Sequence, residues 1–136
     1  MKLENPKSYY TNGVYLYSCY YHVIFCPKYR RKVLIDSIEI RLKQIFLEVS
    51  QKYKFEIVEM EVMPEHVHMI ISCDPRFGIN NCIKKLKGIS SNLLRKEFHQ
   101  LVRKLPCLWT RSAFVSTVGT VSLETVKKYI EDQKMK

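Results

Sequence analysis

A chain of 136 residues with 46% hydrophobic content can bury one compact core but not two, so a single domain spanning residues 1–136 with one site is expected. Twenty-three Lys and Arg against 13 Asp and Glu give a formal charge of +10, which points to a polyanionic partner, either nucleic acid or an anionic membrane surface. No apolar run is long enough to span a bilayer, the opening Met1-Lys2-Leu3-Glu4-Asn5-Pro6 lacks a signal-peptide core, and no lipid-anchor motif occurs, so the expectation is a soluble, cytoplasmic protein without a membrane partner.

Residues 1–12 are polar and contain Pro6 and Asn12, with Gly13 following. The run 14–26, rich in Tyr, Val, Ile and Phe, predicts a strand stopped by Pro27. Asp36 and Glu39 resemble a helix-capping pair, and Ile38, Leu42, Ile45, Phe46 and Val49 recur at helical spacing, predicting an amphipathic helix to about Lys54. Residues 55–63 and 66–73 are β-rich runs separated by Pro64-Glu65, the pattern of a tight antiparallel hairpin. A second helix follows Gly78 and Asn80, with Ile83, Leu86, Ile89, Leu93 and Phe98 on one side and basic residues largely off it. Residues 108–118 are again β-rich, Gly119 breaks them, and Ser122 with Glu124 opens a last helix. The order strand, helix, strand, strand, helix, strand, helix suits an α+β, ferredoxin-like antiparallel sheet with helices on one face, to which the C-terminal helix is an addition.

Five scattered cysteines (Cys19, Cys26, Cys73, Cys82, Cys107) without a C-x-x-C pair suggest neither a disulfide framework nor a zinc cage. His66 and His68 are different. In a strand, residues two apart point the same way, so both imidazoles share a face while Val67 takes the other. That spacing suits two nitrogen ligands on one metal, but H-x-H is short enough to occur by chance, and two ordinary polar strand residues would give the same pattern. His22 and His99 carry weaker signals and read as packed or solvated. Tyr129 and Gln133, four apart, share one face of the last helix. A tyrosine hydroxyl can attack phosphorus when held in line with a polarised phosphate, and a glutamine carbonyl suits Mg²⁺ or Mn²⁺, although most of the nine tyrosines must be structural. Basic residues cluster at Lys28, Arg30, Arg31 and Lys32 and again at Lys84, Lys85, Lys87, Arg95 and Lys96, with Tyr29 and Trp109 placed to stack on unpaired bases.

Four segments in order resemble one family: Tyr21-His22-Val23-Ile24-Phe25-Cys26-Pro27-Lys28-Tyr29-Arg30-Arg31-Lys32-Val33-Leu34, Met63-Pro64-Glu65-His66-Val67-His68, Lys85-Leu86-Lys87-Gly88, and Val126-Lys127-Lys128-Tyr129-Ile130-Glu131-Asp132-Gln133. Together they are similar to the single-tyrosine HUH transposases of the smallest bacterial and archaeal insertion sequences, over nearly the whole chain. The resemblance implies that Tyr129 is a nucleophile and that His66, His68 and Gln133 hold a divalent metal, Mg²⁺ or Mn²⁺. It further implies cleavage and rejoining of single-stranded DNA through a 5′-phosphotyrosine, recognition of hairpins at element ends, and a homodimer whose active sites are shared between subunits, in a prokaryotic, nucleoid-associated setting. Two alternatives stay open at this point: a non-catalytic ferredoxin-like nucleic-acid binder, and a domesticated relative that processes repeated palindromes.

Overall fold

The computed structural model describes residues 10–118; the expected last helix, with Tyr129 and Gln133, lies outside the described residues. A small ribbon comes first, in which β1 (Tyr10–Thr11) pairs antiparallel with β2 (Leu16–Tyr17). Its turn is built by Asn12, whose Oδ1 accepts the N–H groups of Val14 and Tyr15 at 2.8 Å each, and by Gly13 at φ +90°, a backbone conformation that glycine adopts without a Cβ penalty. The β-rich run 14–26 is therefore two elements rather than one strand. Its second part, β3 (Tyr20–Phe25), begins where its partner strand ends, with Tyr20 opposite Ser72.

The main sheet contains β3, β4 (Glu56–Met63), β5 (His66–Ser72) and β6 (Phe114–Val118) in the order β4-β5-β3-β6, with every neighbouring pair antiparallel. Helix α1 (Asp36–Lys52) connects β3 to β4, and α2 (Ile79–Glu97) leads from β5 toward β6. This is the expected ferredoxin-like α+β plan. Its core joins Val23 and Phe25 of β3, Met60 and Val62 of β4, and Val67, Met69 and Ile71 of β5 to Leu42, Ile45 and Phe46 of α1 and Cys82 and Leu86 of α2. The helices thus cover one face of the sheet. Each large aliphatic side chain buried there contributes roughly 1.5–3 kcal/mol relative to exposure. Because strand side chains alternate, the opposite face receives His22, His66, His68 and Ile70, which are buried but stand outside that cluster.

Three local expectations are corrected. Asp36 starts α1 but makes no side-chain cap; the Ile35 carbonyl accepts the Ile38 and Glu39 N–H groups instead, and Glu39 pairs with Lys43 at 3.2 Å. A further helix, α3 (His99–Lys104), follows α2. Only residues 114–118 of the β-rich run 108–118 form a strand, because the preceding segment turns inward at Leu108 and Trp109. Among the described residues no helix is long and apolar enough to cross a membrane.

Candidate functional site

The two-residue turn Pro64-Glu65 fixes the register of the β4–β5 hairpin, so Met63 faces His66 and Glu61 faces His68. The β5 alternation then places both imidazoles on the face opposite the described helices, with ring centroids 5.5 Å apart and planes at 25°. Both side chains are buried, His66 at 6% and His68 at 2% exposure, which an isolated polar strand residue would not gain by. Each meets a carboxylate. His66 Nδ1 lies 2.9 Å from Glu65 Oε1, and His68 Nε2 lies 3.0 Å from Glu61 Oε2. His66 Nε2, by contrast, is buried and meets no hydrogen-bond partner among the described residues.

The donor chemistry fits a divalent cation. Two neighbouring imidazoles with an uncommitted nitrogen, set beside two carboxylates, offer a cation nitrogen donors and nearby negative charge. Among the described residues no group of three or more His, Cys, Asp or Glu is arranged to hold a metal, so the pair needs a donor of another type or from another segment to complete a shell.

Register also places the first basic cluster. Phe25 pairs with Val67, so β3 ends beside the start of β5, and Lys28–Arg30 form a single 3-10 turn at that same end of the sheet. The turn is tied down by Lys28 N–H to the Leu108 carbonyl at 2.8 Å, while Leu34 N–H bonds the Pro64 carbonyl at 3.1 Å. Tyr29 and Arg30 both take left-handed backbone (φ 60° and 50°), a conformation that costs a non-glycine residue about 1–2 kcal/mol. The strained turn holds the Tyr29 ring 65% exposed with Lys28 Nζ 5.4 Å from its centroid, and Arg30 and Arg31 are exposed beside it.

On α2 the basic residues divide by role. Lys84 is exposed, and Lys85 lies 5.0 Å over the Tyr53 ring. Lys87 donates to the Thr110 and Ser112 carbonyls at 2.8 Å each, and burial lowers its pKa. Arg95 donates to the Leu105 carbonyl at 2.9 Å. Lys87 and Arg95 therefore hold the chain that returns to β6. Trp109 is no base-stacking surface: it is 6% exposed, packs edge-on to Phe25 at 4.8 Å, and donates Nε1–H to Ser90 Oγ at 2.9 Å. His99 is exposed.

His22 shares the face of the histidine pair, opposite the described helices; it is paired with Ile70 on β5, and its ring meets Phe114 edge-on at 6.0 Å. It is fully buried, and burial pushes its pKa down to about 4. An unfolded histidine protonates near 6.5, so the stabilisation is complete above that pH and is lost as pH falls toward 4. We expect His22 to account for on the order of 3 kcal/mol of acid destabilisation across this window. Urea unfolding of wild type and His22→Gln at several pH values checks it: the variant should show a shallower slope, and parallel slopes would refute the assignment.

Comparison with known proteins bears on the same residues. A family model described as "Transposase IS200 like" matches residues 15–133, a span that includes the histidine pair, Tyr129 and Gln133. The chain is 37% identical over 121 residues to the ISDra2 transposase TnpA of Deinococcus radiodurans, covering 88% of this chain and 86% of that protein. It is 30% identical over 124 residues to the transposase for insertion sequence element IS200 of Salmonella typhimurium, covering 88% and 82%. A crystal structure of a Deinococcus radiodurans chain assigned as a transposase superposes with TM-score 0.75 at 34% identity, covering 91% of this chain and 97% of that one. A REP-associated tyrosine transposase, solved bound to a REP hairpin, shares the fold at TM-score 0.57 and 17% identity, covering 87% and 64%.

Proposed function

This chain belongs to the IS200-like transposase family, and on that premise we propose that it cleaves and rejoins single-stranded DNA at the ends of an insertion sequence, with Tyr129 as nucleophile and a divalent metal held by His66, His68 and Gln133. The observation that carries the reading is the buried, stacked histidine pair with a bare His66 Nε2. A glutamine carbonyl oxygen is a suitable third donor for Mg²⁺ or Mn²⁺, and Gln133 shares a helical face with Tyr129 by its spacing. When bound, the metal supplies Lewis-acid polarisation of the scissile phosphate.

The chain's own part is nucleophilic. The Tyr129 hydroxyl oxygen attacks phosphorus as its proton departs, the bond from phosphorus to the 3′ oxygen breaks, and that oxygen takes up a proton to leave as a 3′-hydroxyl. A 5′-phosphotyrosine remains. A 3′-hydroxyl from another strand reverses the displacement, so joining needs no nucleotide cofactor. The reading assigns phosphate contacts to Lys28, Arg30 and Arg31 and to the α2 lysines Lys84 and Lys85, and makes the exposed Tyr29 the ring on which an unpaired base stacks. Hairpins at the element ends are the partner that fits this reading, because a paired stem presents phosphates while its flank offers unpaired bases. A homodimer with shared sites supplies the two nucleophiles that joining two ends requires.

A mixing experiment tests the reading. End-labelled single-stranded DNA bearing the hairpin that flanks the gene should be cut by wild type with Mg²⁺, and by neither His66→Ala nor Tyr129→Phe alone. Mixing the two variants should restore cleavage through heterodimers that carry one intact composite site. Metal-dependent cleavage by His66→Ala would remove the metal assignment, and failure of mixing when heterodimers demonstrably form would remove sharing.

A further inference from the structure

We infer that Glu65 is a positioning residue: it accepts the Nδ1 proton of His66 and thereby sets the tautomer that leaves Nε2 bare for a divalent cation. The inference rests on the proposal that His66 is a metal ligand, and extends it to a residue outside the ligand set.

A neutral imidazole carries one proton, and the ring nitrogen that holds it is decided by what the other atoms around it accept. At His66 the acceptor is a carboxylate 2.9 Å from Nδ1, so the proton belongs on Nδ1 and the lone pair on Nε2. Nε2 is the buried atom that meets no partner among the described residues. An imidazole with its proton on Nε2 would instead aim a hydrogen at the position a cation must occupy. The carboxylate also fixes the rotation of the ring, a contribution that carboxylate–histidine pairs make at metal centres.

Glu65 is well placed to hold this geometry. It occupies the second position of the two-residue turn before β5, so its distance from His66 is set by the hairpin, whose Pro64 carbonyl is pinned by Leu34 N–H at 3.1 Å. The Glu65 side chain is 24% exposed against 7% for His66, so the carboxylate keeps partial hydration while its oxygen reaches inward. His68 differs, since its carboxylate contact, Glu61, falls on Nε2. The two histidines thus meet their carboxylates through different ring nitrogens, His66 through Nδ1 and His68 through Nε2.

The test uses the full chain and two readouts that do not depend on DNA cleavage. Mn²⁺ binding is followed by electron paramagnetic resonance of the free ion, and the His66 tautomer by long-range ¹H–¹⁵N correlation without metal. Wild type should show the Nδ1–H form. Glu65→Ala should lose that preference and bind Mn²⁺ about 10- to 100-fold more weakly. Glu65→Gln, whose amide oxygen still accepts a hydrogen bond, should keep the tautomer and most of the affinity. Circular dichroism of each variant separates these effects from misfolding, and Glu65→Gln keeps the test open if Glu65→Ala does not fold. If wild type binds Mn²⁺ but Glu65→Ala matches it in tautomer and affinity, the positioning role is wrong while the metal site stands. If His66→Ala binds Mn²⁺ as wild type does, the metal assignment fails and takes this inference with it.

Discussion

Tyr129→Phe should abolish covalent attachment to DNA and strand joining, by at least ~10³-fold, while hairpin affinity stays within about two-fold of wild type. The substitution removes one oxygen from a chain with nine tyrosines, leaving charge and ring volume in place. Binding through basic residues and stacked bases does not use that oxygen; the displacement at phosphorus does. The contrast between lost chemistry and kept affinity is what separates a transposase from a nucleic-acid-binding module on the same fold, because a binder would lose nothing measurable. Gel-shift and denaturing-gel assays on one labelled hairpin substrate give both numbers.

The second large effect is on stability. Trp109→Ala should cost about 3–5 kcal/mol, lowering the thermal midpoint by roughly 10–20 °C. The indole fills the space between Phe25, at 4.8 Å edge-on, and Phe46, at 6.4 Å, and its N–H is spent on Ser90 Oγ. Truncation leaves a cavity under β3 and removes the donor that Ser90 Oγ accepts from. Thermal unfolding by circular dichroism checks the value. A variant with unchanged stability and weakened DNA binding would return Trp109 to the surface role its position near a loop suggests.

That contrast shows where the sequence is legible. The histidine pair is readable because H-x-H in a strand needs only the alternation of side chains, and Pro64-Glu65 marks the turn. The Glu61–His68 contact was within reach as well, since a two-residue turn at 64–65 puts Glu61 opposite His68. The first ribbon was signalled by Asn12-Gly13, but its flanking strands pair through only two residues each, too few to register as periodicity. Strand ends are harder still. Composition favours β structure through 14–26, while β3 begins at Tyr20 opposite Ser72, the last residue of β5, so its start is set by a distant partner in the sequence. Charge has the same ambiguity. Lys87 and Arg95 read as phosphate contacts beside Lys84 and Lys85, and only tertiary structure reveals that their donors go to the carbonyls of Thr110, Ser112 and Leu105. Trp109 reads as a stacking ring until Phe25 and Phe46 are found around it.

The central claim is that a tyrosine of this chain becomes covalently joined to DNA at a metal site built on the histidine pair. The measurement closest to it is mass spectrometry of proteolytic peptides after wild-type protein has reacted with its hairpin substrate in Mg²⁺ or in chelator. A nucleotide-bearing peptide carrying a 5′-phosphate linkage at Tyr129, present with Mg²⁺ and absent with chelator, is the predicted result. An adduct on another residue, or tight binding to a verified substrate with no adduct at all, would contradict it.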